Sequence, residues 1–205
     1  MPKKELVNNN PILIIIAGPN GSGKTSITTQ ILEHQWVENC VYINPDNIAE
    51  DKFGDWNSPK AVLKALELAT KMRYNCLKQK ESLIFETVLS TEEKMEFIEE
   101  AKKQGYFIRM FFINTEDPVI NAKRVAQRVS EGGHTVPIPK ILSRYSKSLI
   151  NGGMATKIVD RAYFYDNSID NQSPRLMFRT KDGKIVREYG ELNEWTSKVK
   201  KLSLL

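Results

Sequence analysis

The chain has 205 residues, 40% of them hydrophobic and 27% charged, which is enough for an α/β unit with a sizeable core and is unlike a disordered or collagen-like composition. Its formal charge of +5 suits an anionic ligand, but Lys and Arg are interleaved with Asp and Glu along most of the chain, so nucleic acid is the less favoured partner. Cys40, Cys76, His34 and His134 form no close metal-ligand pair and the stretch Met1 to Asn10 is polar, so neither a structural zinc, a signal peptide nor a membrane segment is expected, and a reducing cytoplasm is the natural setting.

Ile12-Leu13-Ile14-Ile15-Ile16-Ala17 is the first predicted strand, β-branched and too short to span a membrane. Directly after it, Gly18-Pro19-Asn20-Gly21-Ser22-Gly23-Lys24-Thr25 reads G-x-x-x-x-G-K-T, and Ser26 to Glu33 reads as a helix. Strand, glycine loop and helix stand in the order a phosphate cradle needs. The glycines let successive N–H groups turn toward phosphate oxygens, and the helix N-terminus adds a favourable dipole. The loop residues and Ser26 are therefore the expected ATP contacts, with Lys24 reaching the β/γ-phosphates and the Thr25 hydroxyl on Mg²⁺.

Val41-Tyr42-Ile43-Asn44 is a second strand, and Ser58-Pro59 opens a long helix with Ser58 as N-cap. Val62, Leu63, Leu66, Ala69 and Leu77 are the expected apolar residues of that helix. Leu83-Ile84-Phe85 is a third strand, and Ser90-x-x-Glu93 is a capping box for a helix that stops near Gly105. Tyr106 to Ile113 is a fourth strand. Asp117-Pro118 starts a helix running to Gly132-Gly133, and Pro137 to Ile150 forms another that Gly152-Gly153 should end. Ala162-Tyr163-Phe164-Tyr165 is a fifth strand. Arg175–Thr180 and Lys184–Tyr189 flank Lys181-Asp182-Gly183, a hairpin signal, and a short helix from Glu191 to Leu202 follows. The alternation predicts a parallel α/β fold in a single domain over 1–205, with a core at about 12–168 and a C-terminal appendage at about 172–205.

In open parallel sheets, ligands bind beyond the carboxyl ends of the strands. Asp46 follows the second strand and Glu86 ends the third, so both should line the edge that carries the phosphate loop. A carboxylate there can accept a proton from an attacking hydroxyl, or hold Mg²⁺ directly or through water. Asp46 also reads as a turn or cap residue, and Glu86 as a solvated strand end. Arg124 and Arg128 share a helix face at i,i+4, beside Lys123. They form either a lid over the phosphates or a solvated basic face, and spacing alone favours the latter. Gly132-Gly133-His134 offers a flexible hinge, and Arg144 and Lys147 are further candidates for the same anion. The spelling of the loop is common among ABC-type ATPases. Their second signature is broken here at Ser130-Glu131-Gly132-Gly133-His134, and no apolar run with Asp-Glu follows it.

Taken in order, Gly18 to Thr25, Ile43-Asn44-Pro45-Asp46, Phe85-Glu86-Thr87-Val88-Leu89-Ser90, Arg124-Val125-Ala126-Gln127-Arg128-Val129, Gly132-Gly133-His134-x-Val136-Pro137 and Asp166-Asn167-Ser168 resemble the zeta-toxin family, in its compact branch. The resemblance implies a P-loop kinase-like parallel sheet flanked by helices, to which the chain adds its β-hairpin and short helix. It also implies ATP/Mg²⁺-dependent phosphorylation of a hydroxyl on a UDP-N-acetylamino sugar, and an antitoxin, where one exists, as a separate chain. By position, Lys24 and Thr25 serve ATP and metal, Asp46 becomes the base that activates the hydroxyl, and Arg124 and Arg128 become lid arginines. Glu86 and Thr87 fall in the substrate segment, with Arg144 as a further substrate contact. Val88 stands where better-known zeta toxins carry a Thr. Two other readings share the loop: a 5′-hydroxyl polynucleotide kinase and a non-catalytic ATP-binding module.

Overall fold

The strand Ile12–Ala17 (β1) sets the layering. Its odd-numbered and even-numbered side chains enter two separate apolar clusters, one on each face of the sheet, so the unbroken apolar run is a strand buried on both sides. The computed structural model describes residues 10–54, 58–133 and 135–204. Parallel to β1 run β2 (Val41–Ile43), β3 (Leu83–Thr87), β4 (Phe107–Asn114) and β5 (Arg161–Asp166). The hairpin β6 (Arg175–Lys181) and β7 (Lys184–Glu188) continues the same sheet antiparallel, giving the order β2-β3-β1-β4-β5-β6-β7. Asp182 and Gly183 both have positive φ, 49° and 75°, as the Asp-Gly hairpin signal requires.

One face is covered by α2 (Pro45–Phe53), α3 (Pro59–Gln79), α4 (Glu92–Lys103), α6 (Ile138–Ala155) and α7 (Glu194–Leu204). On the other, α1 (Lys24–Leu32) packs Ile27 and Ile31 on Ile14, Ile16 and Ile84. The helix α5 (Pro118–Ser130) is capped by Asp117, whose carboxylate accepts from Val119 N at 2.7 Å. It leans on α6 through Val125 and Ile141.

Four sequence expectations change. The helix α2 was not expected; the Asn44 side chain caps it, accepting from Asp46 N at 2.9 Å, with Pro45 at its first position. The buried face of α3 is Ala61, Ala65, Ala69, Arg73, Cys76 and Leu77, whereas Leu63 and Leu66 are 59% and 45% exposed. Small residues there bring the helix close to the sheet, and only Arg73 projects far, between the rings of Phe85 and Phe97. The capping box at Ser90 does not form: α4 starts after Thr91, and the Glu93 carboxylate takes Arg73 Nη2 at 2.7 Å and Lys94 Nζ. A buried guanidinium outcompetes a backbone N–H for that carboxylate. Finally, α6 runs through Gly152-Gly153, because there the helix touches its neighbours with no room for side chains.

Candidate functional site

The phosphate loop bridges β1 and α1 and is held on three sides. Gly18 N donates to Thr87 O at 3.2 Å, Asn121 Nδ2 on α5 donates to Asn20 O at 2.8 Å, and Asn167 Nδ2 after β5 donates to Ser22 O at 2.9 Å. Arg144 Nη1 on α6 makes a long contact of 3.4 Å with Asn20 Oδ1. Close approach is what demands glycine. A Cβ at Gly18 would stand 2.0 Å from Ile113 O, and one at Gly23 would stand 2.1 Å from Asn167 Nδ2, each at a positive φ. Gly23 is the left-handed N-cap of α1, so the N-terminus of that helix begins at the loop, beside the exposed Thr25 and Ser26.

Lys24 Nζ donates to Gly18 O at 2.9 Å and Pro19 O at 3.1 Å. Burial holds its ammonium below the usual lysine value. The charges of Glu86 and Asp46 push the other way, and Arg128 adds to the depression. One ammonium thus senses two carboxylates and a guanidinium supplied by three separate elements. Glu86, at the end of β3, has Oε1 fixed by two donors: Thr28 Oγ1 at 2.8 Å and Tyr42 OH at 2.7 Å. Asn44 Nδ2 in turn donates to Tyr42 OH at 3.1 Å. Burial, then the Glu86 charge, pushes the Tyr42 phenol far above its ordinary value, so it remains a donor. Asp46 is exposed in the first turn of α2.

The other expected residues are placed differently from one another. Arg124 is engaged below the loop: Nε and Nη2 donate to Asp170 Oδ1 at 2.9 and 2.6 Å, and Nη1 donates to Asn167 O at 2.8 Å. Those hydrogen bonds and the guanidinium charge hold the Asp170 carboxyl below its usual value. Arg128 is exposed one turn further along α5, and Gly133 N closes back on its carbonyl at 2.9 Å. Thr87 is buried and its Oγ1 accepts from Leu89 N at 2.9 Å, which fixes the turn after β3. His134, the last residue of the expected hinge, lies outside the described residues.

Asn121, Asn167, Tyr42 and Thr28 carry much of this arrangement and were not singled out from the sequence. Asn167 lies in Asp166-Asn167-Ser168, a string with a family look but no obvious task. For Asn121, buried and also taking a hydrogen bond from Thr115 Oγ1, no sequence signal exists.

An uncharacterized protein of Haemophilus influenzae (strain ATCC 51907 / DSM 11121 / KW20 / Rd) is 26% identical over 145 residues, which are 71% of this chain and 100% of that protein. Among solved structures, the native AvrRxo1-ORF1:AvrRxo1-ORF2 complex contains a chain that matches with a TM-score of 0.67 at 18% identity, over 95% of this chain. The present chain spans 64% of the length of that one, and the same complex with ATP gives a TM-score of 0.66. A chain of the PezAT chromosomal toxin–antitoxin system of Streptococcus pneumoniae matches with a TM-score of 0.60 at 14% identity, over 98% of this chain and 88% of its own. At such identities the likeness is one of fold, and the fold is that of P-loop kinases: a mostly parallel sheet flanked by helices, with the glycine loop after β1. In sequence, residues 2–156 match the zeta toxin family, and the chain belongs to that family.

Proposed function

We propose that the protein is an ATP-dependent phosphotransferase that phosphorylates a hydroxyl of a small molecule, of the UDP-N-acetylamino sugar class. One observation carries the reading: Glu86, Asp46 and Arg128 all bear electrostatically on Lys24 at the mouth of a glycine loop. A binding module needs the loop; it has no need of two carboxylates and a guanidinium beside it. ATP found with the related AvrRxo1 complex supports the donor, and the PezAT toxin–antitoxin system supports an antitoxin chain as a partner.

In this reading the loop amides and Lys24 bind the β/γ-phosphates, and Lys24 meets the charge that develops on the transferred group. Asp46 accepts the proton of the acceptor hydroxyl as its oxygen forms the new bond to the γ-phosphorus and the bond to ADP breaks. Glu86 orients the acceptor through the oxygen that Thr28 and Tyr42 leave available, with Thr87 shaping the turn beneath it. Arg128 closes over the phosphates, Arg144 steadies Asn20, and Arg124 ties the middle of α5 to Asn167 and Asp170. The donor set fits Mg²⁺, which takes few protein oxygens beside phosphates and water: Thr25 would hold it, and when bound it supplies charge neutralisation. We place these roles in one domain spanning 1–205. Cys40 and Cys76 are free thiols and no helix among the described residues is long and apolar enough to cross a membrane, which is compatible with a cytoplasmic setting.

The test is transfer of label from γ-labelled ATP to UDP-N-acetylglucosamine. Asp46→Asn is expected to lose about 10²- to 10⁴-fold in rate, the usual worth of a general base, while binding ATP as the wild type does. Wild-type transfer by that variant refutes the base. Label on a 5′-hydroxyl oligonucleotide and none on the sugar would make the protein a polynucleotide kinase; slow hydrolysis with no labelled acceptor would leave a binding module.

A further inference from the structure

On the sheet face that carries α1, the strands β4 to β7 gather cations that are scattered in the sequence. The register sets Arg109 opposite Arg161, Arg161 opposite Lys181, and Lys181 opposite Lys184. The next row on the same face reads Phe111, Tyr163, Arg179 and Arg187. Neighbouring strands lie about 4.8 Å apart, so each row is a short ladder of adjacent side chains. Among the described residues no carboxylate forms an ion pair with Arg161, Arg179, Lys181, Lys184 or Arg187. Three acids adjoin these cations in sequence: Asp160 takes Lys102 Nζ at 2.7 Å and Ile108 N at 2.8 Å, Asp182 is exposed in the hairpin turn, and Glu188 belongs to the opposite face, where it pairs with Lys200 of α7 at 2.6 Å. Like charges directly opposite across a ladder destabilise a sheet, so this pattern works against the fold. The chain carries 25 Asp and Glu residues and places none of them in these two rows.

Aromatic surface lies among the cations. Tyr163 is half-buried and stacks on Phe111 with ring centres 4.9 Å apart and planes 10° apart, and Arg187 lies over the Tyr189 ring at 4.8 Å. Among the described residues α2, α3, α4, α6 and α7 all belong to the opposite cluster, and on this face α1 packs with Ile14, Ile16 and Ile84 of β1 and β3, with Tyr163 and Tyr165 of β5 packed against that cluster. Lys181, Lys184 and Arg187 are exposed.

We infer that this face of β4–β7 binds a single-stranded polynucleotide, with phosphates on the Arg161/Lys181/Lys184 and Arg179/Arg187 rows and bases against Tyr163 and Tyr189. Charge complementarity selects a polyanion. A sheet face selects a single strand, because a duplex is read by an element that enters a groove, whereas aromatics on a sheet stack unpaired bases. The site is separate from the phosphate loop and does not depend on the kinase reading.

The experiment is fluorescence anisotropy of a labelled 12-nucleotide oligo(U), and of its DNA counterpart, with the full chain. If about five phosphates are neutralised, affinity falls roughly 100-fold between 50 and 200 mM salt, from a slope of about −0.7 per contact. The triple variant Arg161→Gln, Arg179→Gln, Arg187→Gln should weaken binding at least tenfold while its Tm stays level or rises, because repulsion is relieved. Should the triple variant fold poorly, the exposed Arg187→Gln alone should weaken binding about threefold. Excess ATP should leave the affinity unchanged. The inference is overturned by any of four results: no salt-dependent binding, variants that bind as the wild type does, displacement by ATP, or equal competition by poly-glutamate or by a duplex of the same length. Poly-glutamate competition would reassign the face to an acidic protein.

Discussion

Tyr42 and Thr28 act on a single oxygen. Both donate to Glu86 Oε1, at 2.7 and 2.8 Å, so the carboxylate cannot rotate without losing two charge-assisted hydrogen bonds. Tyr42→Phe removes one donor and leaves the ring in place. A hydrogen bond to a charged group contributes about 1.5–3 kcal/mol, so kcat/KM for the acceptor should fall roughly tenfold or more while KM for ATP holds. A variant with wild-type acceptor kinetics would show that Glu86 is positioned without Tyr42. The effect also has a pH signature. The phenol is raised above its ordinary value of 10.0 by burial and by Glu86, so the folded state keeps the proton longer than the unfolded chain does. The stability Tyr42 lends is therefore complete below pH 10 and is lost as pH climbs beyond, and Tyr42→Phe should flatten the alkaline fall in Tm. At this scale the sequence was only half legible. Lys24, Asp46 and Glu86 stand out because motif and strand end mark them. The side chains that hold the site have partners far off in sequence, as Tyr42 holds Glu86 and Asn121 holds Asn20, and no local pattern encodes that.

At the scale of elements, local signals worked where local energetics decide. The Asp117-Pro118 start of α5 and the Asp182-Gly183 turn were legible because each is fixed by one side chain or one φ value. The helix α2 was missed although its Asn44-Pro45-Asp46 start carries a capping signature, because the same residues also spell a turn. The stretch Gly152-Gly153 misled for a different reason. Glycine is a poor helix former by about 1 kcal/mol relative to alanine, so two in a row read as an end. Tertiary contact overrules that preference: a Cβ at Gly152 would lie 2.5 Å from Phe112 Cε2. Phe112 is fully buried against Phe164 and Trp195, at ring-centre distances of 5.5 and 6.3 Å, and has nowhere to retreat. Gly152→Ala thus gains about 1 kcal/mol of helix propensity and loses about 1–3 kcal/mol to overpacking. The expected net result is a lower Tm, by up to about 8 °C for a chain of this size. Circular-dichroism melting decides it, and a Tm that rises would mean that the Phe112 contact yields easily.

Across the whole molecule, α7 and the turn that leads into it are tied to the phosphate loop through one buried carboxylate. Asp166, at the end of β5, accepts on Oδ1 from Ser168 Oγ at 2.7 Å, Asn193 Nδ2 at 3.1 Å and Trp195 Nε1 at 2.8 Å. The next residue, Asn167, holds Asn114 O through its amide at 2.8 Å and Ser22 O through its side chain at 2.9 Å. A tail that reads in sequence as an appendage therefore bears on the turn that supports the loop. Trp195→Phe tests the link, because it keeps an aromatic ring beside Phe112 and deletes the donor to Asp166. Loss of a hydrogen bond to a buried carboxylate costs about 1.5–3 kcal/mol, and at about 2–4 °C per kcal/mol the Tm should fall by roughly 3–12 °C. Stability alone does not distinguish a tether from ordinary packing, so the deciding measurement is the Tm gain on adding ATP, which reports affinity for the native loop. If Asp166 and Asn167 carry the tail's influence to Ser22, the ATP-induced gain shrinks in Trp195→Phe as the carboxylate loses its fixed orientation. A variant that melts early yet gains as much from ATP as the wild type would confine Trp195 to the core and cut the tail from the site.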